Sequence, residues 1–227
     1  MSKKTRKIWL VGNGPSTTPA ILDKLRLETT MAVNRIGLIY PQTAWRPQLY
    51  FKVDYTIGQN WLPEVMSHVL NYEQCLLWDA FRDGAAIDDI NHHFIPDGIG
   101  NTYNNVRFEP RCSHVFEGTG TGVWDDSHFC LGLNSVLGMT RWAVELGYDE
   151  IYMIGFDGNY NKEQNDHCVD NYYGGAMDED YVKRNNEKTM LAHELIKEKC
   201  PVPVYNLSKD SVFKMHPYRD IDEVLNA

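Results

Sequence analysis

The chain has 227 residues, 43% of them hydrophobic, enough to bury one full core, and it is read as a single domain over residues 1–227. Its formal net charge of -9, from 22 Lys+Arg against 31 Asp+Glu, excludes the broad basic face that would bind nucleic acid or an anionic membrane surface. Any phosphate site must therefore be local.

The basic start is followed by only the apolar run Ile8-Trp9-Leu10-Val11 before Gly12, too short for a signal-peptide core. No stretch approaches the roughly 20 apolar residues of a membrane span. Cys75, Cys112, Cys130, Cys168 and Cys200 are scattered and form no CxxC pair, so neither a disulfide framework nor a zinc knuckle is indicated. The expectation is a cytoplasmic protein. Action on a membrane acceptor would need a partner or an interfacial patch to bring it to the inner membrane surface.

Residues 8–11 read as a buried strand that stops at Gly12-Asn13-Gly14-Pro15-Ser16, after which Thr18-Pro19 caps and opens a helix to about residue 27. Met31-Ala32-Val33 and Leu49-Tyr50-Phe51-Lys52-Val53 read as further buried strands, closing on Asn34 and Asp54. In an open parallel sheet, ligands bind outside the carboxyl ends of the strands, so both positions are candidate binding residues. Residues 79–117 lose period and fill with Gly, Asn, Asp, His and Pro, which predicts long loops, an irregular insertion around 79–125. Helical periodicity returns in residues 133–146 and ends at Gly147, a favoured cap. Residues 151–154 make a strand, and residues 155–178 a polar, Tyr-rich loop with the composition of a lid. A charged helix over 178–199 stops at Pro201 and a last strand follows at 202–205. The alternation predicts an α/β fold with a mostly parallel sheet and helices on both faces.

Glycines in the 12–16 turn allow close backbone approach, and a following helix start offers N–H groups to an anion, which makes Gly12, Asn13, Gly14 and Ser16 candidates for nucleotide binding. The turn is neither GxGxxG nor a P-loop. Ser135 opens its helix, where a hydroxyl can meet a carboxylate or phosphate. Gly155 and Asp157 follow a strand, and behind them His167 offers a general base while Tyr160, Tyr172 and Tyr173 offer phenols to a leaving phosphate. Asp157, Asp166 and Asp170 are the alternative, a set of Mg²⁺ ligands for a nucleoside triphosphate.

Several stretches resemble the family 42 bacterial sialyltransferases and the archaeal 6-hydroxymethylpterin diphosphokinase-like proteins. They are the GNGPS turn, Ala32-Val33-Asn34-Arg35, and Asn134-Ser135 through the LGYDEIYMIGFD of residues 146–157. Asp166-His167 with Tyr172-Tyr173-Gly174 resembles a segment of the diphosphokinase branch. Val204-Tyr205-Asn206-Leu207-Ser208 is similar to the final strand of both. The resemblance implies a Rossmann-like fold in which Asn13, Asn34 and Ser135 hold the nucleotide and loop tyrosines face its phosphate. It also implies a homo-oligomer. One departure stands out: those transferases carry the catalytic histidine in an HYIGH context, where Tyr172-Tyr173-Gly174-Gly175 has glycine, so His167 would act from another point of the loop.

Three readings follow. The first is a glycosyltransferase using a nucleotide sugar, CMP-linked by the resemblance, without a metal cofactor and with a glycan or small-molecule acceptor. The second is a diphosphokinase using ATP and Mg²⁺. The third is a nucleotide-binding protein without catalysis.

Overall fold

The computed structural model describes residues 4–52, 67–68, 71–78, 106–109, 134–158, 167–170, 172–173 and 178–227. Among these residues seven strands form one sheet: β1 (Lys7–Val11), β2 (Thr30–Val33), β3 (Leu49–Lys52), β4 (Gln74–Trp78), β5 (Val106–Glu109), β6 (Glu150–Ile154) and β7 (Val204–Asn206). Their order is β5-β4-β3-β2-β1-β6-β7, and every pairing is parallel. Around them lie α1 (Pro19–Lys24), a 3-10 segment (Ile36–Gln42), α2 (Ser135–Glu145), α3 (Glu179–Lys199) and α4 (Ile221–Leu225). The expected α/β fold with a parallel sheet is what the chain adopts.

A strand covered on both faces needs apolar residues at every position, and β1 shows why its run is continuous. Ile8 and Leu10 pack with Met31, Phe51 and Met153 under α2 and α3. Trp9 and Val11 face the other way, against α1, the 3-10 segment and α4. Each such side chain contributes roughly 1.5–3 kcal/mol on burial. On the second face Trp9 stacks on Tyr152 at 4.9 Å and Tyr152 on Tyr205 at 5.2 Å, an aromatic row that ties β1, β6 and β7 together.

Three helix ends carry the caps that their sequences signal. Thr18 caps α1 by accepting from Ile21 N. Asp178 caps α3 by accepting from Asp180 N and Tyr181 N. Gly147 closes α2 at φ 77°, with Gly147 N donating to Val144 O and Tyr148 N to Ala143 O, the paired bonds of a Schellman motif. Three differences from the sequence expectation stand out: α1 ends at Lys24, Gln74–Trp78 forms β4 where the sequence reading places no strand, and Val106–Glu109 forms β5 inside the stretch whose pattern predicts loops. β5 lies at the sheet edge, and its Val-Arg-Phe-Glu sequence lacks the continuous apolar run that marks the central strands.

Candidate nucleotide site at the sheet switch point

β1 lies between β2 and β6, and the sheet grows outward from it in both directions. The chain leaving β1 leads to α1 on one face of the sheet and the chain leaving β6 leads to α3 on the other, the arrangement in which doubly wound sheets bind ligands in a crevice at the carboxyl edge. α2 reaches the same edge. It ends just before β6 begins, at the amino edge, so its first residue, Ser135, lies at the carboxyl edge. Its cap is Asn134, whose Oδ1 accepts from Leu137 N at 3.2 Å, so the Ser135 hydroxyl is not used as the cap.

The GNGPS turn is built around the β6 loop. Gly12 N donates to Ile154 O and Gly14 N to Gly155 O, both at 2.8 Å. A Cβ on Gly12 would lie 2.4 Å from Gly155 O, and one on Gly14 would lie 2.2 Å from Asp157 Oδ2. Gly155 has φ 76°, and a Cβ there would lie 2.1 Å from Thr17 Oγ1. The close approach that these glycines allow is thus between two backbone loops.

Ser16 and Asp157 lock the pair. Asp157 Oδ2 accepts from Ser16 N at 3.0 Å and from Ser16 Oγ at 2.9 Å, while Asp157 Oδ1 accepts from Ser208 Oγ at 2.6 Å. Ser16 Oγ in turn accepts from Gly155 N. Thr17 N donates to Gly14 O. The N–H groups of Gly12, Gly14, Ser16 and Thr17, which an anion at this turn would use, are therefore engaged inside the protein.

What the crevice offers instead is acceptors. Asn13 is 8% exposed, and its Nδ2 donates to Val33 O at 2.9 Å, which turns Oδ1 away from that bond. Asn13 Oδ1 and Asn34 Oδ1 are both buried and have no hydrogen-bond partner. A buried acceptor left unmade costs roughly 1–3 kcal/mol, so two of them on the turns that follow β1 and β2, at the carboxyl edge of the sheet, mark the place of a ligand's donors. Ribose hydroxyls and an exocyclic base amine have that chemistry.

The loop after β6 returns over this point. Cys168 N donates to Asn13 O at 2.7 Å. Burial, with Asp157 nearby, pushes the Cys168 thiol up to about 12, so it is no thiolate nucleophile. Tyr172 is 1% exposed, and its hydroxyl accepts from Arg35 N at 3.2 Å while Arg35 Nη1 donates to Tyr172 O. His167 stacks on Tyr172 at 4.1 Å and meets Tyr173 edge-on at 5.0 Å. Three of the four residues expected to carry the chemistry thus form one aromatic group beside Asn13.

Tyr160, Asp54 and Asp166 lie outside the described residues. Asp170 is exposed and Asp157 is held by two serines, and among the described residues no three His, Cys, Asp or Glu side chains converge as metal ligands. Sequence reasoning missed Thr17 and Ser208, whose types carry no signal on their own. It also missed Arg35's role under the loop, for which the pairing of a buried arginine with Tyr172 is the only clue.

No protein-family profile and no curated protein matches the sequence. Solved structures do. The sialyltransferase CstII from Campylobacter jejuni, in complex with the substrate analogue CMP-3FNeuAc, aligns with a TM-score of 0.55 at 15% identity, covering 95% of this chain and 87% of that one. The monofunctional α-2,3-sialyltransferase Cst-I from the same organism aligns at 0.52 and 18% identity, covering 96% and 82%. CST-II in complex with a trisaccharide acceptor and CMP aligns at 0.53 and 13% identity, covering 94% and 86%. At these identities the likeness is one of fold, and the chain shares the fold of these sialyltransferases over nearly its whole length.

Proposed function

We propose that the chain is a glycosyltransferase that takes a CMP-linked sugar and transfers the sugar to an acceptor hydroxyl without a metal. The observation that carries this reading is the pair of buried, unpartnered acceptors Asn13 Oδ1 and Asn34 Oδ1 at the switch point, beside the His167 aromatic group. Their demand is for donors, which the nucleoside half of the ligand supplies. The shared fold with enzymes solved in complex with CMP and CMP-3FNeuAc supports the choice of nucleotide.

In this reading the bond from the anomeric carbon to the phosphate oxygen breaks, and its electron pair leaves with CMP. The acceptor oxygen bonds to that carbon, and His167 takes the hydroxyl proton. Tyr173, half-buried, and Tyr160 give hydrogen bonds to the departing phosphate, and Ser135 at the start of α2 faces the same anion. Tyr172 completes the set from below. Its hydroxyl oxygen accepts from Arg35 N, which seats the ring that stacks on His167.

The test is release of CMP from CMP-sialic acid in the presence of a lactoside acceptor and EDTA. Wild-type chain turns over in EDTA, and His167→Ala loses about 10²–10⁴-fold in rate with CMP affinity kept within about twofold. Turnover unaffected by His167→Ala removes that residue from the mechanism. Tight binding of ATP only with Mg²⁺, and no CMP release, moves the reading to a diphosphokinase.

A further inference from the structure

Tyr50 belongs to none of the residue groups assigned above, yet it touches the site's backbone at one decisive atom. It sits on β3, 1% exposed, with its ring stacked on Tyr72 at 4.8 Å and an interplanar angle of 5°. Its hydroxyl donates to Asn34 O at 2.7 Å. Asn34 has φ 54°, the only non-glycine residue in the left-handed region among the described residues. Asparagine tolerates that conformation better than most residues, but it still needs the surroundings to hold it there.

The carbonyl of Asn34 and the N–H of Arg35 belong to one planar peptide unit. Tyr50 Oη takes the oxygen end, and Tyr172 Oη receives the N–H end at 3.2 Å. Two buried phenols, one from the sheet and one from the loop after β6, therefore clamp a single peptide plane. Fixing that plane fixes the left-handed turn at Asn34 and with it the direction in which the Asn34 side chain leaves the backbone. Asn13 is aligned independently, through its bond to Val33 O at the preceding residue.

We propose that Tyr50 is a positioning residue for the nucleotide site, acting through the 34–35 peptide to hold the Asn34 acceptor beside that of Asn13. The inference rests on the nucleotide reading of the crevice. It also explains why β3 carries a tyrosine where an apolar side chain would fill the same space.

The experiment is calorimetric titration of CMP into wild type, Tyr50→Phe, Tyr72→Phe, Asn34→Gly and the double variant Tyr50→Phe/Asn34→Gly. Tyr50→Phe keeps the ring on Tyr72 and weakens CMP binding by about 3- to 10-fold, the range of one lost hydrogen bond. Tyr72→Phe removes an equally buried hydroxyl, bonded to Tyr40, and leaves affinity within twofold of wild type. Because Tyr50 acts through Asn34, adding Tyr50→Phe to Asn34→Gly weakens binding no further. Unchanged affinity in Tyr50→Phe, or a loss that persists in full on the Asn34→Gly background, overturns the proposal and leaves the nucleotide reading standing. A wild-type chain that does not bind CMP overturns both. Should Tyr50→Phe not fold, the crystal structure of the wild-type CMP complex decides. The proposal requires the Tyr50–Asn34 bond with the Asn34 side chain on the nucleotide, and a complex with that side chain turned away refutes it.

Discussion

Replacing Asp157 by asparagine tests the clamp that joins the β1 and β6 loops. The carboxylate accepts three bonds, from Ser16 N, Ser16 Oγ and Ser208 Oγ. An amide has one oxygen. If that oxygen stays on Ser16, the new NH₂ faces Ser208 Oγ across 2.6 Å, and the serine must rotate to accept. Bonds to a charged group contribute about 1.5–3 kcal/mol and neutral ones about 0.5–1.5, so converting three of them costs roughly 1 kcal/mol each. Since Asp157 is half-buried, about 2–3 kcal/mol in total is the expected loss. For a chain of this size that lowers Tm by about 5–10 °C. The assay is a thermal melt in nucleotide-free buffer with EDTA, with Asp170→Asn, an exposed carboxylate, as a control that moves Tm by less than about 2 °C. A Tm for Asp157→Asn within that same margin refutes the clamp. So does a rise in wild-type Tm on adding Mg²⁺ that Asp157→Asn abolishes, which would make the carboxylate a metal ligand.

Two further outcomes follow from the packing. Gly155 and Gly147 share nearly the same positive φ, but a Cβ on Gly155 meets backbone at 2.5 Å while one on Gly147 comes no closer than 3.2 Å to the Arg6 guanidinium. Gly147→Ala therefore costs about 1 kcal/mol and folds, whereas Gly155→Ala yields little soluble protein; equal expression and stability of the two contradicts the loop contact. His193 Nδ1 and His216 Nε2 lie 3.0 Å apart in the core beside Phe213. Burial, with Lys197 nearby, holds His216 down at about 4, and burial with His216 holds His193 well below its usual range. Both stay neutral in the fold and bind protons first in the unfolded chain. The stability they contribute is present above about pH 6.5 and drains as pH falls toward 4, with about 2 kcal/mol gone by pH 5 from His216 alone. Urea melts at pH 7 and pH 5 read this directly, and a flat profile contradicts it.

The sheet was legible because its central strands are buried on both faces. Residues 8–11, 31–33 and 151–154 are unbroken apolar runs, and the run at 49–53 kept its strand character despite Lys52, which the structure buries fully. β4 and β5 were not read: Gln74–Trp78 and Val106–Glu109 lie toward the sheet edge between stretches without period. At the site, position after a strand singled out Asn13, Asn34 and Asp157, which the structure places just past the ends of β1, β2 and β6. Their individual jobs were not legible, because a job depends on which atoms are already bonded. The GNGPS turn signals close approach, but only the fold shows that the neighbour is Gly155 rather than a phosphate. Tyr50 reads as one more strand residue until its hydroxyl is seen on Asn34 O.

The central claim is that the crevice at the carboxyl ends of β1 and β2 recognises a cytidine nucleotide through the side-chain oxygens of Asn13 and Asn34. The most direct measurement is calorimetric titration of CMP in EDTA into wild type and Asn13→Ala. Metal-independent binding is expected, weakened by Asn13→Ala about 5- to 100-fold, the cost of leaving the ligand's donor unsatisfied in a buried site. Binding of CMP undiminished by Asn13→Ala, or no binding of CMP alongside Mg²⁺-dependent binding of ATP, contradicts it.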